Sequence, residues 1–76
     1  LNEQFAVIDR SVFRRTQRQI YEEQLEGLKI SLAEREARRT YYGLAAPLWL
    51  VNEIRQLEEA IRSTENKLDD LAAAGT

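Results

Sequence analysis

The clearest pattern in the sequence is a heptad repeat of apolar residues in its second half. These residues alternate at steps of four and three: Leu50, Ile54, Leu57, Ile61, Thr64, Leu68 and Leu71. The other positions are mostly charged, so the pattern predicts an amphipathic α-helix over 47–73 with one apolar stripe. Thr64 is the only polar member, and we interpret it as a tolerated polar residue rather than a device that fixes pairing.

A second apolar stripe predicts another helix over about 16–42. Its members are Tyr21, Leu25, Leu28 and Leu32. Further along, the stripe becomes polar at Arg35 and Arg39, and small alanines nearby would let a partner helix approach closely. Gly27 lies inside this helix and costs about 1 kcal/mol relative to Ala.

Between the two stripes the sequence carries stop and start signals for helices. Gly43 can adopt the left-handed conformation that ends a helix, and Pro47 suits the first turn of the next one. The turn over 43–46 is short, which favours antiparallel neighbours. The predicted fold is therefore all-α, an antiparallel helical hairpin.

Residues 1–15 allow two interpretations. Phe5, Ile8 and Val12 recur at helical spacing, with Phe13 beside them. Either the first helix extends back to about residue 3, or a separate short helix precedes Ser11, which would act as a cap. We therefore divide the chain into an N-terminal helical extension, 1–20, and a hairpin module, 21–76. In a simple hairpin a long first helix would overhang the second, leaving these apolar side chains to meet another chain or domain.

Length and composition limit the chemistry that the chain can perform. It has 76 residues and contains neither Cys nor His, so we expect no metal site of the usual kind and no cofactor. Its serines lack a His to activate them, and its paired carboxylates lie on exposed helix faces, so we expect no enzyme.

There is no apolar run long enough to cross a membrane, and we expect a cytoplasmic protein. Because the chain does not begin with Met, we interpret it as a piece of a larger protein.

Charge is unevenly distributed, with a basic start and an acidic end. Arg10, Arg14 and Arg18 follow one another at steps of four, and Arg15 is adjacent. Such a stripe could bind nucleic-acid phosphates, although the net charge of −2 and the missing base-reading residues argue against nucleic acid as a partner. It could also serve as an electrostatic docking face, or be an ordinary solvated surface.

Trp49 lies in a nearly continuous apolar run at the start of the second helix. One interpretation is a hydrophobic cap that closes the turn end of the hairpin. The other is an anchor for a partner, because Trp and Tyr dominate the energetics of interfaces, and Tyr41 lies close by in the sequence.

The hairpin resembles a known group of modules over residues 21–71. The residues that carry the likeness are Leu25, Leu28, Leu32, Ala33, Ala37, Tyr42, Gly43, Pro47, Glu53, Ile54, Leu57 and Ile61. The pattern is similar to the effector-associated helical hairpins of bacterial STAND-type NTPases, TIR proteins and caspase-like proteases. It departs from them at Ala46, where Thr or Ser is expected, and in the bulk of Leu48 and Trp49. The resemblance implies a non-catalytic adaptor or oligomerisation element beside an effector domain.

The leading hypothesis is a module for protein association, either with another copy or with another domain of the same protein. Two hairpins would pair their Leu/Ile faces into a four-helix bundle. The candidate intermolecular residues are Phe5, Ile8, Val12, Phe13, Tyr41 and Trp49. Two alternatives remain: phosphate binding by the arginine stripe, and a coiled-coil spacer between domains.

Overall fold

The computed structural model describes residues 10–74, without the side chains of Arg10, Ser11, Val12 and Arg14. Helix α1 runs over Arg10–Tyr42, a short 3-10 turn over Gly43–Ala45, and helix α2 over Leu48–Ala74. The two helices pack against each other in antiparallel orientation, and residues 10–74 contain no strand. The predicted all-α helical hairpin is confirmed.

Helix α1 is continuous through its first described turns. Ser11 lies inside the helix, so the interpretation in which it caps a helix is wrong. The physical reason is that the arginines around Ser11 are good helix formers and that no Gly or Pro interrupts this stretch. The predicted start of α1 near residue 3 falls outside the described residues, and so do Phe5 and Ile8. The division at residue 20 stays a prediction, and α1 crosses it without a break.

The turn is built as the Gly and Pro signals predict. Gly43 has a φ of +59°, the left-handed conformation that costs other residues about 1–2 kcal/mol. The amide of Ala46 donates to the carbonyl of Gly43 at 3.3 Å. The carbonyl of Pro47 accepts from the amides of Leu50 at 3.1 Å and Val51 at 3.3 Å. Pro47 thus immediately precedes α2, whose start and end each lie one residue later than predicted.

The core between the helices is small. Among the described apolar side chains only Leu50 and Ile54 are buried, with 0% and 3% of their surface exposed. The Cα trace measures 14 Å along its shortest principal axis, so the hairpin is a single layer of helices. A single layer leaves both of its broad sides uncovered, and these sides are where partner contacts can form.

Candidate interaction surface

The predicted seam residues all lie toward the opposite helix. Leu50 and Ile54 are buried, and the remaining seam residues are half-buried: Leu25, Leu28, Leu32, Leu57, Ile61, Leu68 and Leu71. The two Leu/Ile stripes therefore cover each other within one chain. A four-helix bundle of two chains has to use an additional surface.

Thr64 is the one buried polar residue among those described, with 7% of its surface exposed. Its hydroxyl donates to the carbonyl of Ala60 in the preceding turn at 2.8 Å. The hydrogen-bonding requirement of the side chain is thus met within α2, without a partner across the seam. This geometry agrees with the interpretation of Thr64 as a tolerated polar residue.

One interhelical ion pair was not predicted from the sequence. Nε of Arg35 donates to Oε2 of Glu53 at 2.8 Å, and both side chains are partly covered. The sequence pattern assigned Glu53 to a solvated face and treated Arg35 only as the point where the apolar stripe ends. The position of the turn could have predicted this ion pair, because residues at similar distances before and after a turn lie opposite each other in a hairpin.

A second polar contact between the helices shows how they are aligned along the hairpin. Nζ of Lys67 lies 5.6 Å from the ring centroid of Tyr21, within range of a cation–π interaction. The separation along the chain between Tyr21 and Arg35 equals the separation between Glu53 and Lys67. Both contacts therefore show the same antiparallel alignment of the helices. Continuing that alignment to the open end of the hairpin places Arg18 level with Asp70.

This alignment changes the interpretation of the arginine stripe. Arg15 and Arg18 are exposed, whereas the side chains of Arg10 and Arg14 lie outside the described part. The acidic end of α2, with Asp69 and Asp70, lies beside the basic start of α1 in the same molecule. Opposite charges at this spacing reduce the positive potential that nucleic-acid phosphates would meet. Phosphate binding stays a prediction, as does electrostatic docking.

The two broad sides of the hairpin differ in composition, and we call the first the low-charge face. A groove between the helices lies on it, lined by Ser31 and Arg35 of α1 and by Glu53, Gln56 and Ala60 of α2. Residues seven apart project from nearly the same side of a helix, which extends the face along both helices. In α1 the face contains Phe13, Gln17, Ile20, Gln24, Gly27, Ser31, Glu34, Arg35, Arg38, Tyr42 and, where it meets the turn end, Tyr41. In α2 it contains Trp49, Glu53, Gln56, Ala60, Ser63, Lys67 and Asp70.

The opposite side is almost entirely ionic, and we call it the charged face. In α1 it contains Arg15, Arg18, Glu22, Glu26, Lys29 and Glu36. In α2 it contains Arg55, Glu58, Arg62, Glu65 and Asp69. All of these side chains are exposed, and the face carries groups of both signs. A surface of this kind is typical of a helix side that stays in water.

The turn end forms a third surface, the apolar tip, which consists of Tyr41, Leu44 and Leu48. All three side chains are largely exposed. The rings of Tyr41 and Tyr42 meet edge to face, with centroids 5.8 Å apart. Trp49, which lies next to the tip, keeps 50% of its surface exposed. Half of its surface therefore remains accessible to a partner.

The large exposed apolar side chains are concentrated away from the charged face, and Ile30 borders it, where it lines a groove with Glu26 and Lys29. Among the described residues they lie on the low-charge face, at the tip or along the outer edge of α1. Those on the low-charge face are Phe13, Ile20, Tyr42 and Trp49, and Ile30 lies on the outer edge. Of the predicted intermolecular residues, the structure thus brings Phe13 and Trp49 to one face. It places Tyr41 at the tip, and the side chains of Phe5, Ile8 and Val12 are not described.

Neither a membrane span nor a cluster of metal ligands occurs within residues 10–74. No helix in this part of the chain is long and apolar enough to cross a membrane. No group of three or more potential metal ligands comes together there. Comparison with known proteins gave no significant match to a protein-family model, to a curated protein or to a solved structure.

Proposed function

We propose that this chain is a non-catalytic association module whose hairpin binds another protein surface, foremost a second copy of itself. In this proposal it is an adaptor element of a larger cytoplasmic protein in bacterial signalling or defence. The observation that carries the proposal is the single-layer fold. The hairpin buries only Leu50 and Ile54 fully among its described apolar residues and leaves large apolar side chains such as Trp49 half exposed.

The apolar surface that remains exposed is large enough to drive association. A large aromatic side chain buries about 150–250 Å² when fully covered. Half of that area, at roughly 25 cal/mol per Å², gives about 2–3 kcal/mol for each half-exposed ring that a partner covers. Several such contacts are needed to offset the entropy lost on association, which costs about 4–15 kcal/mol. The four large apolar side chains of the low-charge face lie in two pairs, one at each end, and a partner that covers the whole face covers both pairs.

Sedimentation velocity from low to high micromolar concentration tests the proposal. We expect the mass of the sedimenting species to rise from that of the 8.8 kDa chain to a multiple of it. The increase should be reversible on dilution, as mass action requires. A chain that stays monomeric at high micromolar concentration and still melts cooperatively would refute the association function.

A further inference from the structure

We propose that the low-charge face binds the low-charge face of a second copy, so that two hairpins stack into a four-helix bundle. This inference rests on the proposed function and adds which surface is used and by which partner. It excludes the charged face and the apolar tip as the primary contact between copies.

The charge distribution favours this stacking. The middle of the low-charge face contains neutral side chains, among them Gln24, Gly27, Ser31 and Ser63. In a two-fold dimer each copy presents the same patch, so a charged centre would place like charges together. A neutral centre avoids this repulsion, and the ions nearest to it, Arg35 and Glu53, are paired with each other. Stacking two charged faces would instead remove many ions from water, a cost that pairing recovers only when the geometry is excellent.

The charges on the low-charge face lie on either side of its centre: Glu34, Arg35, Arg38 and Glu53 toward the turn end, and Lys67 and Asp70 toward the open end. Most of them have a partner in the same chain. Glu53 is hydrogen-bonded to Arg35, and Lys67 lies against the Tyr21 ring. Arg38 lies toward the turn end, at the periphery of the face. The centre of an interface is generally depleted of charged residues, and the centre of this face is uncharged.

The distribution of apolar and small side chains favours the same face. Trp49 and Tyr42 lie at its turn end, and Ile20 and Phe13 lie toward the open end. Between them, a Cβ added to Gly27 would meet nothing within 4 Å, so the backbone there is open to close approach. Small residues in the centre let two helix layers come together, and the large residues at the two ends supply apolar area.

The area of the low-charge face matches what a stable dimer needs. Helix α2 has 27 residues and is therefore about 40 Å long. Two helices side by side are about 20 Å wide, so the face offers about 800 Å². A specific interface of standard size buries about 800 Å² on each partner. The face is thus large enough to form a stable dimer without help from the tip or the outer edges.

Two arginine substitutions in α1 form a matched pair that tests the face. Gly27→Arg places a long cation in the centre of the low-charge face, at an exposed position with free space around it. Ala33→Arg places the same side chain on the other side of α1, in an exposed position that lines a groove with Lys29 and Ile30. Because neither site is in the seam, circular dichroism should show unchanged or higher helix content for both variants.

Sedimentation of the full chain then separates the two faces. We expect Gly27→Arg to raise the dissociation constant of the dimer by about tenfold or more, and Ala33→Arg to change it by less than about threefold. Ser63→Arg, which enters the same face from α2, should weaken association as Gly27→Arg does. If the wild-type chain associates and neither Gly27→Arg nor Ser63→Arg weakens the association, the low-charge face is not the interface between copies. The proposed association function is not contradicted by that result. If the wild-type chain does not associate, both proposals fail together.

Discussion

The two broad faces of the hairpin share the same helices and lengths but differ in chemistry. The charged face carries exposed ions of both signs along the described parts of α1 and α2, with Ile30 as the large exposed apolar side chain at its border. The low-charge face carries Phe13, Ile20, Tyr42 and Trp49, with neutral small and amide side chains between them. A hairpin that acted only as a spacer would gain solubility from charges on both faces. The difference between the faces therefore supports association over a purely structural role.

The largest expected effect comes from breaking the seam that both faces depend on. Ile54→Asp places a charge at a position with 3% exposure, which should destabilise the hairpin by at least about 3 kcal/mol because the carboxylate loses its hydration. We expect loss of most of the helical circular dichroism signal at 25 °C. Asn52→Asp, an exposed change in the same helix, is the control and should melt like the wild type. A fully helical Ile54→Asp chain would show that the seam is misplaced.

The next effect concerns the aromatic end of the low-charge face. Trp49→Ala removes the largest half-exposed side chain from the proposed interface and should weaken self-association by about 2 kcal/mol, or roughly thirtyfold. Arg55→Ala truncates an exposed charged-face residue of the same helix and should change the affinity by less than about threefold. Sedimentation equilibrium gives both constants. Equal losses in the two variants would remove the distinction between the faces.

A smaller effect tests whether Gly27 serves association or merely lies in the helix. Gly27→Ala should stabilise α1 by up to about 1 kcal/mol, because Ala is the better helix former and nothing lies within 4 Å of its Cβ. A methyl group is small enough to leave the affinity between copies nearly unchanged. A thermal melt at low concentration measures the stability, and a lower melting temperature would contradict the open environment of Gly27.

The smallest effect concerns the ion pair at the edge of the groove. Glu53→Gln keeps the shape of the side chain and removes its charge, which should cost about 0.5–1 kcal/mol because both partners are partly exposed to solvent. The loss should shrink in high salt, where the wild-type pair is screened. Urea melts at low and high salt measure it. A loss that is independent of salt would indicate that the hydrogen bond rather than the charge matters.

Periodicity and turn chemistry were enough to predict the hairpin. The four-three spacing of Leu50, Ile54 and Leu57 identified the buried stripe, and Gly43 with Pro47 located the turn. These signals are local, since they depend on helical geometry and on the backbone preferences of single residues. Ser11 shows the limit of a local rule, because a residue suited to capping can also lie inside a helix when its neighbours favour continuation.

The difference between the two faces was not evident from the sequence alone. In the sequence, Arg35 and Glu53 are two charged positions on separate helices, and the antiparallel register is what brings them into contact. Likewise Ser31 and Ala60 belong to one groove only because α1 and α2 lie side by side. Such features depend on pairing between distant segments, which a periodicity within one helix does not contain.

Thiol reactivity measured on the two faces tests the central claim most directly, because the chain has no native Cys. Gln56→Cys and Glu58→Cys place a small thiol at exposed positions two residues apart, on the low-charge and charged faces of α2. We expect the alkylation rate at position 56 to fall steeply as the concentration passes from monomer to dimer, while the rate at position 58 stays constant. Protection at position 58, or equal rates at both positions in a chain that demonstrably associates, would contradict the pairing of the low-charge faces.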